Sequence, residues 1–446
     1  MIGLITLALV SLAIAARGIF GRKRAFEFPT ALALLYIAFI IPQAMAVERT
    51  LSVQFETWFV WFYMALCLLM VTFGFEGGKA WAARRAQRFM PPQQLESRLI
   101  IGAIGFAFIG LFASSQVRTI AAATELGSQW TGVITLWYLL IQTTFFALAL
   151  ASLRFLKSRN QIYTLVALVA LAAILVMVSQ NVKRHMIAEV AIIFAGAWFF
   201  MRGQQPSKPL LLVGFLLGTV LLHQVGSVRN YIDEGRGNAF QAFAEGVPFE
   251  KFEYFNADRG PEVTQAVVDI SATNQTGLLE GPADLWNKLV HQYVPAFIFG
   301  REFKDSLKVE EGIASRDNYE LLEFESRGAT RTGFSDTYRS YSVFGCLIFL
   351  GLGVFMGALY SYALNGRLWA QFYYLVLLND GMIAVTESTS RFMVTLPMMF
   401  VLTWIVVRPI ARGRAVMRSG PPGARGANGR LANGAASRPA WQGFRV

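Results

Sequence analysis

The chain has 446 residues, 55% of them hydrophobic and 15% charged, with a formal charge of +12. A charged share well below the roughly 25% of soluble domains, with apolar runs of about 20 residues recurring along the length, excludes a soluble globular protein and a β-barrel. It identifies an all-α polytopic membrane protein. The basic excess sits mostly in short gaps between apolar runs and in the tail, so it reports topology rather than a nucleic-acid surface.

The first apolar run, Ile2 to Ala16, is followed rather than preceded by Arg17, Arg22, Lys23 and Arg24. It reads as a true span with its N-terminus outside, not as a secretory signal. Further spans are expected at Pro29–Val47, Phe55–Phe75, Leu99–Ser114, Thr131–Leu153, Ile162–Ser179, Met186–Met201 and Leu210–Val225. A long polar segment follows, and three more spans are expected at Tyr341–Leu364, Leu368–Val385 and Phe392–Val407. The count is about 11. The sequence thus divides into N-terminal membrane helices (1–226), a large loop with short helices (227–340), C-terminal membrane helices (341–410) and a basic tail (411–446). The tail, rich in Gly, Ala, Arg and Pro, is expected to be disordered.

Lysines and arginines concentrate after the first, third, fifth and seventh spans and after the last, which marks those sides as cytoplasmic. The large loop is then extracytoplasmic and the C-terminus cytoplasmic. Within the loop, Pro282–Tyr293 reads as an amphipathic helix that lies on the membrane interface or packs over the spans. The loop's centre, 238–276, has no reading of its own.

Exceptions to the charge rule carry the functional signal. Lys183, Arg184 and His185 occupy a short outer turn, with Glu189 one helical turn below His185 on the same face. Arg229 ends the eighth span, and Arg391 opens the last one just after Glu387. A cluster of outer guanidinium groups suits a lipid-linked diphosphate, because guanidinium stays charged and grips phosphate with two parallel bonds. The alternative is plain snorkelling of helix-end arginines to headgroups. Asp336 and Arg339 lie one turn apart at the mouth of the ninth span. Asp336 is a candidate acceptor of a sugar hydroxyl proton, or else an N-cap or a partner of Arg339. His291 is either an acid/base group or a structural histidine. Arg331, with Arg316, Arg327, Glu323 and Glu325, belongs to a mixed-charge stretch.

Absent motifs narrow the chemistry. There is no GxxxxGK[ST] phosphate loop, no Asp-x-Asp metal handle and no HExxH, and the two cysteines, Cys67 and Cys346, lie in apolar runs. No metal or other cofactor is expected. Charges are sparse in mid-span, which weighs against an ion-coupled transporter.

Three stretches resemble the oligosaccharide repeat-unit polymerases of bacteria, the Wzy-type O-antigen and exopolysaccharide polymerases. Asp336-Thr-Tyr338-Arg-Ser-Tyr341-Ser342-Val-Phe-Gly345 is similar to that family's acidic-x-Tyr-x-x-aromatic-Gly-x-x-Gly run, with Ser342 in place of the first glycine. Tyr293-Val-Pro295-Ala296-Phe-Ile-Phe-Gly300-Arg301 resembles its proline-aromatic-Gly-basic stretch, with Ala296 where a basic residue is usual. Asn181-Val-Lys183-Arg184 resembles its outer arginine before a middle helix. The resemblance implies a GT-C-like glycosyltransferase in the bacterial inner membrane, with the large loop and the N-terminus periplasmic. It would polymerise undecaprenyl-diphosphate-linked oligosaccharide units and need neither metal nor nucleotide sugar. Arg184, Arg229, Arg331, Arg339 and Arg391 are then expected at the diphosphate, and Asp336, Glu387 or His291, in that order, as the base. A chain-length regulator is a further partner consistent with that family. An O-antigen ligase, which shares the donor, and a lipid-linked sugar transporter are the alternative readings.

Overall fold

A computed structural model describes residues 1–21, 23–52, 55–86, 96–121, 133–158, 160–180, 184–247, 261–294, 296–309, 332–389, 391–393 and 395–402. Arg331 and the tail beyond 410 lie outside these residues, as do the side chains of Arg184 and Arg229. The elements are helical throughout the described residues. Those of the N-terminal half are α1 (Ile2–Phe20), α2 (Phe28–Leu35), α3 (Ile41–Leu51), α4 (Thr57–Ala86), α5 (Glu96–Ala121), α6 (Val133–Ile141), α7 (Thr143–Ser158), α8 (Gln161–Gln180), α9 (Arg184–Arg202) and α10 (Lys208–Asp233). The loop carries α11 (Ala239–Ala244), α12 (Pro261–Thr276), α13 (Ala283–Tyr293), α14 (Ala296–Phe299), α15 (Arg301–Ser306) and α16 (Gly333–Tyr341). The chain then re-enters the apolar bundle as α17 (Cys346–Leu364), α18 (Leu368–Thr386) and α19 (Arg391–Leu402).

Among the described residues, 9 helices are long and apolar enough to cross a membrane, rather than the expected eleven or so. The difference lies in two places. The other two expected spans, Leu210–Val225 and Phe392–Val407, fall on α10, where the side chains of residues 221–223 lie outside the described ones, and on α19, which is described as far as Leu402.

Close backbone contact organises the bundle. Gly74 and Gly78 of α4 face Gly353 and Gly357 of α17, each pair in the small-xxx-small spacing that lets membrane helices approach. A Cβ on any of the four would lie between 2.0 and 2.3 Å from a carbonyl oxygen of the other helix. Next to this pair runs α18, the most enclosed span, with 83% of its apolar stretch buried against 28% for α8 and α9. The second span contains a π turn, Tyr36–Ile40, between α2 and α3. It falls just before Pro42, whose ring cannot donate to Ala38 and crowds its carbonyl, so the ladder widens there.

The two ends of the bundle differ in charge. At one end Arg17, Glu27, Glu76 and Lys79 form an ion network, with Lys79 Nζ 2.6 Å from Glu27 Oε1. There the Tyr360 and Tyr374 hydroxyls donate to the carbonyls of Lys23 and Phe26 at 2.5 and 2.6 Å. At the other end the Met1 amino group pairs with Glu48 at 2.5 Å, and α12 packs on α3, α4 and α16. The loop's centre therefore contributes structure that the sequence pattern alone left unread. An Asn238–Gln241 capping box starts α11, and α12 covers the ends of the membrane helices.

The entry into α17 is strained. Thr332 caps α16, its hydroxyl oxygen accepting from the Ser335 amide at 3.3 Å, so the N-cap role falls to Thr332 and not Asp336. After Tyr341 the chain breaks at Ser342, which holds φ 52° and ψ −142°. That region is natural only to glycine, the residue that the resemblance led us to expect there. Ser342→Gly is therefore expected to raise stability by about 1 kcal/mol. Thermal unfolding of the detergent-solubilised protein measures this, and an unchanged or lower midpoint would refute the strain.

Candidate functional site

The site is built from helix ends at the α12 side of the bundle. His185 and Glu189 lie one turn apart on α9, and Asp380 and Glu387 lie two turns apart at the C-terminal end of α18, so each pair shares a face. Packing of α9 against α18 brings the two faces together. The Asn379 amide donates to Glu189 Oε2 at 3.1 Å. Arg391, at the start of α19, turns back across the end of α18. Its Nε lies 3.7 Å from Asp380 Oδ1 and its Nη1 donates to Glu387 Oε2 at 3.1 Å. His185 Nδ1 stands 3.9 Å from the other oxygen of Glu387. Glu189 and Asp380 are buried, whereas the Glu387 side chain is 38% exposed.

Of these groups His185, Asn379 and Glu387 line an open cleft, and Arg391 is tied to it through Glu387. Leu35, Phe39, Met382 and Ile383 give it an apolar wall, and His185, Glu262, Asn379 and Glu387 a polar one. The cleft lies near one end of the spans: Asp380 is six residues from the end of α18, roughly 9 Å of helix. The arrangement can hold an amphiphile, with its apolar part on the wall and a polar head at Arg391.

A second polar centre adjoins it. Ser388 donates to Asp336 Oδ2 at 2.5 Å, and Lys288 Nζ lies 3.3 Å from both that oxygen and the Ser388 hydroxyl. Asp336 is 5% exposed, and one of its oxygens already serves two donors. Of the sequence candidates for the base, Glu387 is the one that borders the cleft. His291 sits on α13, where its carbonyl accepts from Lys304. Burial, with Lys304 and Lys308 nearby, pushes the imidazole pKa below its ordinary value, so the ring is neutral at pH 7.

The arginines divide. Arg391 borders the Glu387 site, and Arg184 is the first residue of α9, directly before His185. Arg229 lies in the last turns of α10. Arg339 points inward. It is 2% exposed, makes a salt bridge with Glu280, and its Nη1 is 4.0 Å from Asp269 Oδ1. The structure thus gathers Glu387, Arg391 and His185, sets Asp336 beside them through Ser388, and turns Arg339 into the core of the loop. Among the described residues no group of three His, Cys, Asp or Glu is placed to hold a metal ion.

Lys288, Ser388, Asn379 and Asp380 were not singled out from the sequence. Two of them left a signal. Asp380 is an acidic residue inside an apolar span, a rarity that marks functional or pairing sites. Lys288 is the one lysine in the amphipathic segment 282–293.

Comparison with protein-family models, with curated proteins and with solved structures finds no match to this chain. What these observations establish is a multi-pass helical membrane protein with a charged, open cleft at one end of its bundle.

Proposed function

We propose that the protein is a membrane glycosyltransferase that polymerises undecaprenyl-diphosphate-linked oligosaccharide units at the outer face of the bacterial inner membrane. The observation that carries this reading is the cleft itself. Its lining offers an apolar wall for a lipid and, at Glu387, a carboxylate for a sugar hydroxyl, and Arg391, paired with Glu387, supplies a guanidinium for a diphosphate at the same end of the spans. That end lies opposite the Arg17–Lys79 network, and so opposite the side that the basic loops mark as cytoplasmic.

In this scheme Glu387 takes the proton from the acceptor hydroxyl as its oxygen attacks the anomeric carbon of the donor sugar. The bond from that carbon to the diphosphate breaks, and the lipid diphosphate leaves with the electron pair. Arg391 stabilises the charge that develops on the leaving group, and Arg184, the first residue of α9, is assigned to the same diphosphate. Asp380 and Glu387 hold the guanidinium in place. Asp336, clamped by Lys288 and Ser388, fixes α13 and α16 over the site and acts as a positioning residue.

The test is an elongation assay with purified protein in nanodiscs, lipid-linked oligosaccharide and no nucleotide sugar. A ladder of longer lipid-linked products is the expected result. Transfer only to lipid A core would make the protein a ligase. Movement of the lipid-linked sugar across the bilayer without bond formation would make it a transporter. Either outcome overturns the polymerase reading.

A further inference from the structure

A second cleft opens at the same end of the bundle between the α3–α4 turn and α12. Its polar lining is Ser52, Glu56, Ser271, Asn274 and Gln275, and its aromatic lining includes Trp58 and Phe59. Trp58 is 55% exposed. Asn274 is oriented, because its Oδ1 accepts from the Tyr338 hydroxyl at 2.7 Å, which leaves its amide nitrogen to donate. Ser271 is 5% exposed, and its hydroxyl has no hydrogen-bond partner among the described residues.

The lining also says what the ligand is not. Among the described residues no lysine or arginine lines this cleft, and the charged group that does is Glu56, a lining that does not suit a phosphate. Exposed indole, carboxamides, hydroxyls and a single carboxylate are what a neutral saccharide needs. The aromatic face covers the C–H face of a sugar ring, and the short polar groups meet its hydroxyls in both donor and acceptor senses.

One helix contributes to both clefts. Glu262, in the first turn of α12, lines the first, and Ile270, Ser271, Asn274 and Gln275, further along the same helix, line the second. Twelve residues separate Glu262 from Asn274, roughly 18 Å of helix. Tyr338 joins Asn274 to α16, the helix that carries Asp336.

We propose that the Trp58–Asn274 cleft is a glycan-binding site that holds the saccharide portion of a lipid-linked chain while its diphosphate end lies at Arg391. This rests on the polymerase reading, since it assigns the second cleft to that reaction's own substrate. The roughly 18 Å along α12 between Glu262 and Asn274 is a distance that a short oligosaccharide spans, and the lack of cations in the second cleft among the described residues separates sugar binding from diphosphate binding.

The experiment uses the full chain in nanodiscs. The probe is the repeat-unit oligosaccharide released from its lipid diphosphate by mild acid, titrated calorimetrically. Trp58→Ala and Gln275→Ala, both at exposed positions, are each expected to weaken binding about tenfold. Phe240→Ala, which removes an exposed aromatic ring on α11, is expected to bind as the wild type does. Equal binding by the wild type and both cleft variants overturns the inference. So does a wild type that elongates lipid-linked units yet binds no free oligosaccharide. Trp58-dependent binding by a protein that shows no elongation upholds the glycan cleft and overturns the polymerase reading alone.

Discussion

Arg339→Met is expected to destabilise the protein by about 3–5 kcal/mol, the cost of breaking a buried ion pair from one side. Arg339 is 2% exposed and is enclosed with Glu280 and Asp269, whose side chains are 4% and 0% exposed. Removing the cation leaves two carboxylates in a medium that cannot solvate them. The same cluster fastens three parts of the loop. Asp269 lies in the middle of α12 and also accepts from Gln265 at 2.8 Å. Glu280 belongs to the turn after α12, and its amide donates to the Arg339 carbonyl at 2.9 Å. The loop's cover over both clefts is therefore expected to loosen together.

A second construction separates charge from shape. Combining Arg339→Met with Glu280→Gln and Asp269→Asn removes all three charges and is expected to recover most of the loss, because no ion is then stranded. Thermal unfolding in detergent measures both proteins. A normal midpoint for Arg339→Met would refute the ion cluster as a structural tie. A normal midpoint together with lost elongation would return Arg339 to the substrate.

Glu387→Gln is expected to lower elongation about 10²–10⁴-fold, the usual contribution of a positioned general base, while the fold persists. The side chain is 38% exposed and stands at the end of α18 rather than in the core. Glutamine keeps its shape and can still accept from Arg391, but it cannot take a proton at neutral pH. Asp336→Asn serves as the contrast. Asp336 is buried against Lys288 and Ser388, so its replacement is expected to lower stability first and activity as a consequence. Initial rates in the lipid-linked elongation assay, set beside unfolding midpoints, distinguish the two. Full activity in Glu387→Gln would remove it from the reaction.

Much of the architecture was legible in the chain. Apolar runs of span length mark α1, α4, α8 and α17 because hydropathy is summed over neighbours in sequence, and a helix needs no distant partner to satisfy its backbone in lipid. The amphipathic segment 282–293 folds as α13 within one residue of its expected start, for the same local reason. His185 and Glu189 share a helix face by spacing alone. Ser342 stood out as the position where the resemblance puts a glycine, but the backbone break there is visible only in the structure.

The site was only partly legible, because its contacts join residues far apart in the chain. Asp336 meets Ser388 across 52 positions and Lys288 across 48. Tyr338 meets Asn274 across 64. From sequence, Asp336 and Arg339 were neighbours at one mouth. In the structure they face different partners, one held by Lys288 and Ser388, the other enclosed by Glu280 and Asp269. The sequence by itself determined a helical membrane protein with charged residues gathered at helix ends and a large loop between two apolar blocks. Only the tertiary structure decided which of those charges borders a cleft, which is spent inside the loop, and that α12 runs from one cleft to the other. Hydropathy acts along the chain, whereas exposure and pairing depend on which helices pack together.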